Sequence, residues 1–162
     1  MDALKTFNSL MGELDYPMFI VTTCVDGERS GCLIGFATQI SIKPPRFLVG
    51  LSHKNHTYRV AQRAELLGVH FVPADGADLA ELFGGETGDE IDKFERCEWH
   101  PGPGGVPIVE RCPNWFVGRV LTRLNAGDHD ALILEPVAAG REAEERELTF
   151  HRARRIEPGH AP

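Results

Sequence analysis

Apolar positions in this chain recur with two different periods, and the places where the period changes divide it into short elements. Leu4, Phe7, Leu10 or Met11, and Leu14 fall at helical spacing ahead of Pro17, which predicts an amphipathic helix over residues 1–15 that packs by its apolar stripe. Residues 18–25 are a β-branched and aromatic run ended by Asp26-Gly27, a pair suited to a tight hairpin turn, so a return strand is expected over 30–36. Pro44-Pro45 then fixes an extended lead into a strand over 46–51, because proline sets φ and supplies no ladder donor. Residues 57–64 change to helical spacing through Tyr58, Val60, Ala61 and Ala64, and residues 68–72 change back to strand. A short helix is predicted over 78–83 with Asp78 near its start, where a carboxylate complements the unpaired amides. Residues 84–105 read as a glycine-rich connection holding one short turn over 90–94, and long ordered loops of this kind often carry function. Two last strands, 114–124 and 131–137, are joined by Asn125-Ala126-Gly127-Asp128-His129.

Several strands with interspersed short helices and no regular βαβ rhythm predict a mostly β fold, built as a mostly antiparallel barrel. At 162 residues and 42% hydrophobic, the chain fits one domain with a real core. The expected organisation is a helix over 1–15, a barrel over 16–140, and a charged strand or tail over 141–162 that is frayed over 157–162. No apolar run approaches the roughly 18 residues needed to cross a bilayer, and the first residues carry Asp2 and Glu13 in place of a basic flank, so a soluble, cytoplasmic protein is expected.

Charge narrows the range of ligands. With 17 basic against 24 acidic residues the net charge is −7, which disfavours nonspecific binding to nucleic acid or anionic membranes. Any anionic ligand must therefore be held by local donors. Arg152, Arg154 and Arg155 form the one basic cluster and read as a solvated tail or a dimer contact. Cys24, Cys32, Cys97 and Cys112 include no pair at the spacing of a redox or zinc motif, so they read as reduced thiols. Cys97, His100 and Cys112 make three candidate metal ligands without paired spacing, and no metal is expected.

The stretch from Gly31 to Thr57 sets two apolar runs around a small polar elbow, a double proline and the start of a helix. Such an arrangement can wrap backbone donors around a flat, anionic ligand, and a glycine-bearing elbow at 34–39 lets amides approach a ring edge closely. Together with Gly127-Asp128-His129 it points to a flavin. Other readings of the same residues stay open. Asn55 and Thr57 also suit a helix cap, Asp92-Lys93-Phe94 a capped turn with a core phenylalanine, and His129 a turn histidine bonded to Asp128.

The chain resembles the flavin reductase family with the FMN-binding split-barrel fold. The residues that carry the resemblance are Tyr16-Pro17 leading into Ile20-Val21-Thr22-Thr23, Gly31, Thr38 through Ser41 with Pro44-Pro45, Asn55 and Thr57, Asp92-Lys93-Phe94, Gly105 with Pro107, and Gly127-Asp128-His129. The resemblance implies a six-stranded antiparallel split β-barrel, a homodimer that completes each pocket, and an NAD(P)H-dependent flavin reductase. Hydride would pass from NADH or NADPH to FMN or FAD, and reduced flavin would then serve a separate monooxygenase. It also implies a site in which Gly35, Phe36, Ala37, Thr38, Gln39 and Ser41 lie along the ring. Ser52, Lys54, Asn55, His56 and Thr57 would face the ribityl phosphate, Lys93 and Phe94 the pocket mouth, and His129 with Asp128 the place where nicotinamide stacks. His129 would act there as an orienting group or proton relay. Two departures stand out: Leu33-Ile34-Gly35-Phe36 replaces a small polar run common in the family, and the segment after Gly140 lacks the usual apolar closing motif. A noncatalytic flavin-binding protein, or a split barrel holding a deazaflavin or haem, is the alternative.

Overall fold

The computed structural model describes residues 2–88, 90–142, 144 and 146–156; the expectation of fraying over 157–162 lies outside them. Strand β1 (Phe19–Val25) turns through Asp26-Gly27 into β2 (Glu28–Ile34), and φ angles of 51° and 81° at the two turn residues are the left-handed values that Asp and Gly tolerate. Strands β3 (Ala37–Ile42) and β4 (Pro45–Ser52) form a second hairpin around Lys43 and Pro44. Pro44 thus sits in the turn, while Pro45 opens β4 opposite Ile42 and gives the extended entry that was expected. Strands β5 (Leu66–Phe71), β8 (Asn114–Asn125) and β9 (His129–Arg141) complete a sheet of order β2-β1-β5-β8-β9-β4-β3, antiparallel throughout.

The sheet therefore has seven strands among the described residues, one more than the six expected. The added strand is β3, whose mostly exposed side chains were read as part of the polar elbow. Its two edges, β2 and β3, are joined in sequence by Gly35 and Phe36 alone. A sheet whose ends are two residues apart must curl. Its concave face is filled by one core containing Val21, Ile34, Leu51, Val69 and Leu134, drawn from edge strand β2, from β4 next to the other edge, and from the middle.

Strand β1 is buried on both faces. Phe19 and Val21 face the curled core, while Ile20 packs in a second cluster with Val72, Leu79, Phe83, Phe94 and Leu148. That outer layer is supplied by α3 (Ala77–Gly85), a 3-10 turn at Lys93–Glu95 and the carboxy-terminal segment. The 84–105 connection is more ordered than its composition suggested. Strand β6 (Trp99–Pro101) pairs with β7 (Pro107–Val109), and Thr22 Oγ1 donates to Pro107 O at 2.7 Å to tie this small ribbon to β1.

The chain ends fold differently from expectation. Leu148 is fully buried, its carbonyl accepts the Met18 N–H and its own N–H donates to Val72 O, and α4 (Phe150–Ala153) packs on the outer layer. The apolar closure that seemed missing after Gly140 is made by Leu148, Phe150, Ala153 and Ile156. Conversely, α1 (Ala3–Glu13), capped by Asp2, buries no residue, and Phe7 on its apolar stripe remains 55% exposed. The packing expected of that helix is absent among the described residues of the single chain.

Candidate functional site

Pairing between β4 and β9 sets the site. Ser52 lies opposite His129, Leu51 opposite Asp130, Gly50 opposite Ala131 and Val49 opposite Leu132. Successive side chains on a strand point to opposite faces, so Val49, Leu51, Asp130 and Leu132 share the core face. Gly50, Ser52 and His129 share the other. The elbow docks on that second face: Gly50 donates its N–H to Phe36 O at 2.7 Å, and a Cβ at Gly50 would come within 3.0 Å of Phe36 Cβ. Glycine is what lets the elbow lie flat on the strand.

A cavity of about 190 Å³ opens there, walled by Tyr16, Met18, Leu33, Phe36 and Phe150, with Ser52, Asn55 and His129 at its polar edge. Tyr16 and Phe150 stack with ring centroids 4.7 Å apart, and Phe36 lies 5.0 Å from the His129 ring. Phe36 is 59% exposed, an aromatic face left open to a ligand or a partner. Gly35 sits hard against Tyr16, whose ring would lie 2.7 Å from an added Cβ. Aromatic walls with a few neutral polar groups suit a planar heteroaromatic ring, so a flavin fits the chemistry of this surface. Tyr16, Met18 and Phe150 were not among the site residues read from sequence. The Leu148-Thr149-Phe150 run was the signal for the last of them, hidden behind a glutamate-rich stretch.

His129 Nδ1 donates to Asp128 Oδ1 at 2.7 Å, which holds the carboxyl of Asp128 below the usual carboxylate range. No hydrogen-bond partner for Nε2 is found among the described residues. The turn reading and the site reading of His129 are therefore compatible. Asn55 caps α2 (His56–Ala61) by accepting the Thr57 N–H at 2.9 Å, and Thr57 turns inward to share a 2.8 Å hydrogen bond with Ser30.

The other proposed site residues lie elsewhere. Ala37, Thr38, Gln39 and Ser41 belong to edge strand β3, where Gln39 Nε2 donates to Ser41 O at 3.0 Å. Lys54 is exposed beside the cavity, and its N–H donates to Ser52 Oγ at 3.3 Å. His56, Lys93 and Phe94 line a separate cleft of about 410 Å³ with Arg29 and Ser30. Lys93 was expected to offer a charge at the pocket mouth. It is instead only 6% exposed, and its ammonium donates to Gly31 O at 3.0 Å and Phe83 O at 2.8 Å. Burial holds its pKa below the usual lysine value. Phe94 is a core residue packed edge-on against Phe83 and Trp99, and Asp92 caps its turn. Of the two readings of 92–94, the geometry matches the capped turn.

One polar cluster escaped sequence reading. His53 Nε2 donates to Asp130 Oδ1 at 2.8 Å, Gln62 Nε2 donates to Asp130 Oδ2 at 3.4 Å, and the His53 and Tyr58 rings lie tilted with centroids 4.8 Å apart. The hydrogen bond from His53 is the main cause of a lowered Asp130 pKa. Nothing in their sequence separation signalled that residues 53 and 130 meet.

The chain belongs to the flavin reductase-like family, whose flavin reductase like domain matches residues 11–159. Among its relatives, the NADH-dependent FMN reductase RutF of Klebsiella pneumoniae is 29% identical over 145 residues, covering 90% of this chain and 88% of that protein. The NADH-dependent flavin reductase of Kitasatospora aureofaciens is 30% identical over 144 residues, 83% of this chain and 71% of that protein. In three dimensions the fold matches a flavin reductase domain protein from Arthrobacter sp. FB24 with a TM-score of 0.83 at 23% identity, covering 92% of this chain and 91% of the other.

Proposed function

We propose that this chain is an NAD(P)H-dependent flavin reductase that passes hydride from a nicotinamide to FMN or FAD. The observation that carries the reading is the face shared by Phe36, Gly50, Ser52 and His129, a largely apolar surface with neutral polar groups at its edge, within a chain of this family. Flavin, when bound, supplies the hydride acceptor. The chain's task is then mainly placement and exclusion of water, because hydride transfer asks little acid or base chemistry of a protein. Tyr16, Phe36 and Phe150 wall the ring site against solvent. Ser52 and Asn55 offer hydrogen bonds at its edge. Asp128 fixes the proton of His129 on Nδ1, which leaves Nε2 as the ring nitrogen available to a ligand. Reduced flavin released from the site would serve a separate monooxygenase in the cytoplasm.

A homodimer completes the site in this reading. The cavity of about 190 Å³ is smaller than the roughly 300–1,000 Å³ of ligand pockets, so one chain supplies part of a flavin site. Apolar side chains stand ready for a partner, including Leu4 and Phe7 on α1 and Ile42, 83% exposed, on edge strand β3. Sedimentation of the purified chain should give twice the monomer mass, and a monomer at micromolar concentration would remove the second copy from the scheme. For the activity, the protein is mixed with NADH or NADPH and free FMN or FAD. Loss of the near-ultraviolet nicotinamide absorbance is expected in at least one combination, and its absence in all four would sink the reading.

A further inference from the structure

We infer that Asp130 is a positioning residue which, through His53, clamps the loop bearing Ser52 and Asn55 to the start of β9 and so holds His129 in place across the cavity. This rests on the flavin-site reading above for its effect on turnover, but the clamp itself is independent of it. Asp130 is only 8% exposed and points to the core face with Leu132 and Leu134, an unfavourable place for a carboxylate unless it is bonded. The same burial alone could be answered by any donor that closes the open end of the core. The donor present is His53, and it is placed to do more.

His53 follows Ser52 directly and touches the β9 region twice. Its side chain meets Asp130 at 2.8 Å, and its N–H donates to Asp128 O at 2.9 Å. The two bonds straddle His129 in sequence. Within the same loop, Asn55 N–H donates to Ser52 O at 3.0 Å and Lys54 N–H to Ser52 Oγ. The loop is thus a small closed unit that continues from the β4–β9 ladder, where Ser52 already faces His129, and His53 adds two further bonds to the strand start. Gln62, at the C-cap of α2, adds a second donor to Asp130 at 3.4 Å, so the helix that follows the loop is tied to the same carboxylate. The polar groups at the cavity edge, Ser52, Asn55 and His129, then ride on two adjoining segments that the His53–Asp130 contact fastens together beyond the end of the ladder. Small displacements of positioning groups are costly, with roughly a hundredfold in rate for about 1 Å.

Two single substitutions, Asp130→Ala and His53→Ala, and their combination test the clamp, with His53→Gln as the variant that keeps a side-chain donor. Each alanine variant should raise KM for flavin and lower kcat, reducing kcat/KM by about tenfold. The double variant should lose no more than either single one, as residues acting as one unit do. His53→Gln should recover most of the loss. Amide hydrogen exchange at residue 53 and across residues 126–129 should quicken in the alanine variants and not in His53→Gln, whether or not flavin is added. Additive losses in the double variant, or exchange at these amides unchanged by Asp130→Ala, would overturn the clamp. If the unmodified chain turns over no flavin, the functional reading falls, and the exchange measurements still decide the clamp. Should Asp130→Ala fail to fold, His53→Ala and His53→Gln carry the same comparison.

Discussion

His70 and His129 are the same residue in two opposite settings, at the middle of the sheet and at its rim. His70 is fully buried on β5, where Nδ1 donates to Ile20 O at 3.0 Å and Nε2 accepts the Val109 N–H at 3.1 Å. Both nitrogens are engaged by backbone, the tautomer is fixed, and burial pushes the ring down to about 4, so it stays neutral. His129 has one nitrogen on an exposed carboxylate, one without a partner among the described residues, and a ring face open to Phe36. The difference teaches how to tell a histidine that joins elements from one that is available to a ligand. A count of engaged nitrogens does it where residue type and strand position do not.

The comparison breaks first at His70. Replacing it by alanine leaves Ile20 O and Val109 N–H buried and unpaired as well as a void, which should cost about 3–5 kcal/mol in urea unfolding. A loss below about 1 kcal/mol would mean that the ring holds nothing together. The same residue should leave a pH signature. Its folded pKa of about 4 lies below the unfolded value of 6.5, so between them the unfolded chain binds a proton that the folded chain does not. Its stabilisation is therefore complete above about pH 6.5 and falls as the pH drops toward 4, by up to about 3 kcal/mol. Unfolding midpoints measured across that window should slope in the unmodified protein and flatten in His70→Leu. At the rim the expectation reverses. His129→Ala should lower kcat/KM about tenfold, near 1.4 kcal/mol of barrier, with little change in melting temperature. A large drop in melting temperature with turnover intact would put His129 in the same class as His70.

Much of the fold was legible because burial writes itself into local pattern. The run at 18–25 became β1, the Asp26-Gly27 pair became its turn, and the strand over 114–124 became β8 almost residue for residue. Strand β3 was missed because it is an edge strand with one short alternation and polar residues at most positions, the composition of a loop. The apolar stripe of α1 was read correctly as a stripe, but its packing was assigned to this chain, where it is exposed. The site was legible where a turn, an elbow or a helix start marks its residues locally. Gly35, Phe36, Ser52, Asn55 and His129 do meet at the cavity. Tyr16, Phe150, His53 and Asp130 come together through pairing between distant segments, which no local spacing encodes. Lys93 misled because a lysine in a glycine-rich connection usually points to water, whereas this one folds back to two backbone carbonyls.

The two-residue joint at Gly35 and Phe36 has a consequence for how the chain can be rearranged. Strands β2 and β3 stand at opposite ends of the hydrogen-bonded order yet are consecutive in sequence, so this joint is the shortest covalent bridge across the seam of the sheet. Closing so short a gap costs little chain entropy, while the β1–β5 and β4–β9 pairings close far longer loops. New termini placed at residues 35 and 36 would turn that seam into a true opening. Both hairpins would keep their own turns, but the two edges would be left to find each other without a tether, and the surface that bears Phe36 would lose its register with Gly50. Termini placed in the exposed turn at residues 26 and 27 would cut only one hairpin and leave the seam bridged.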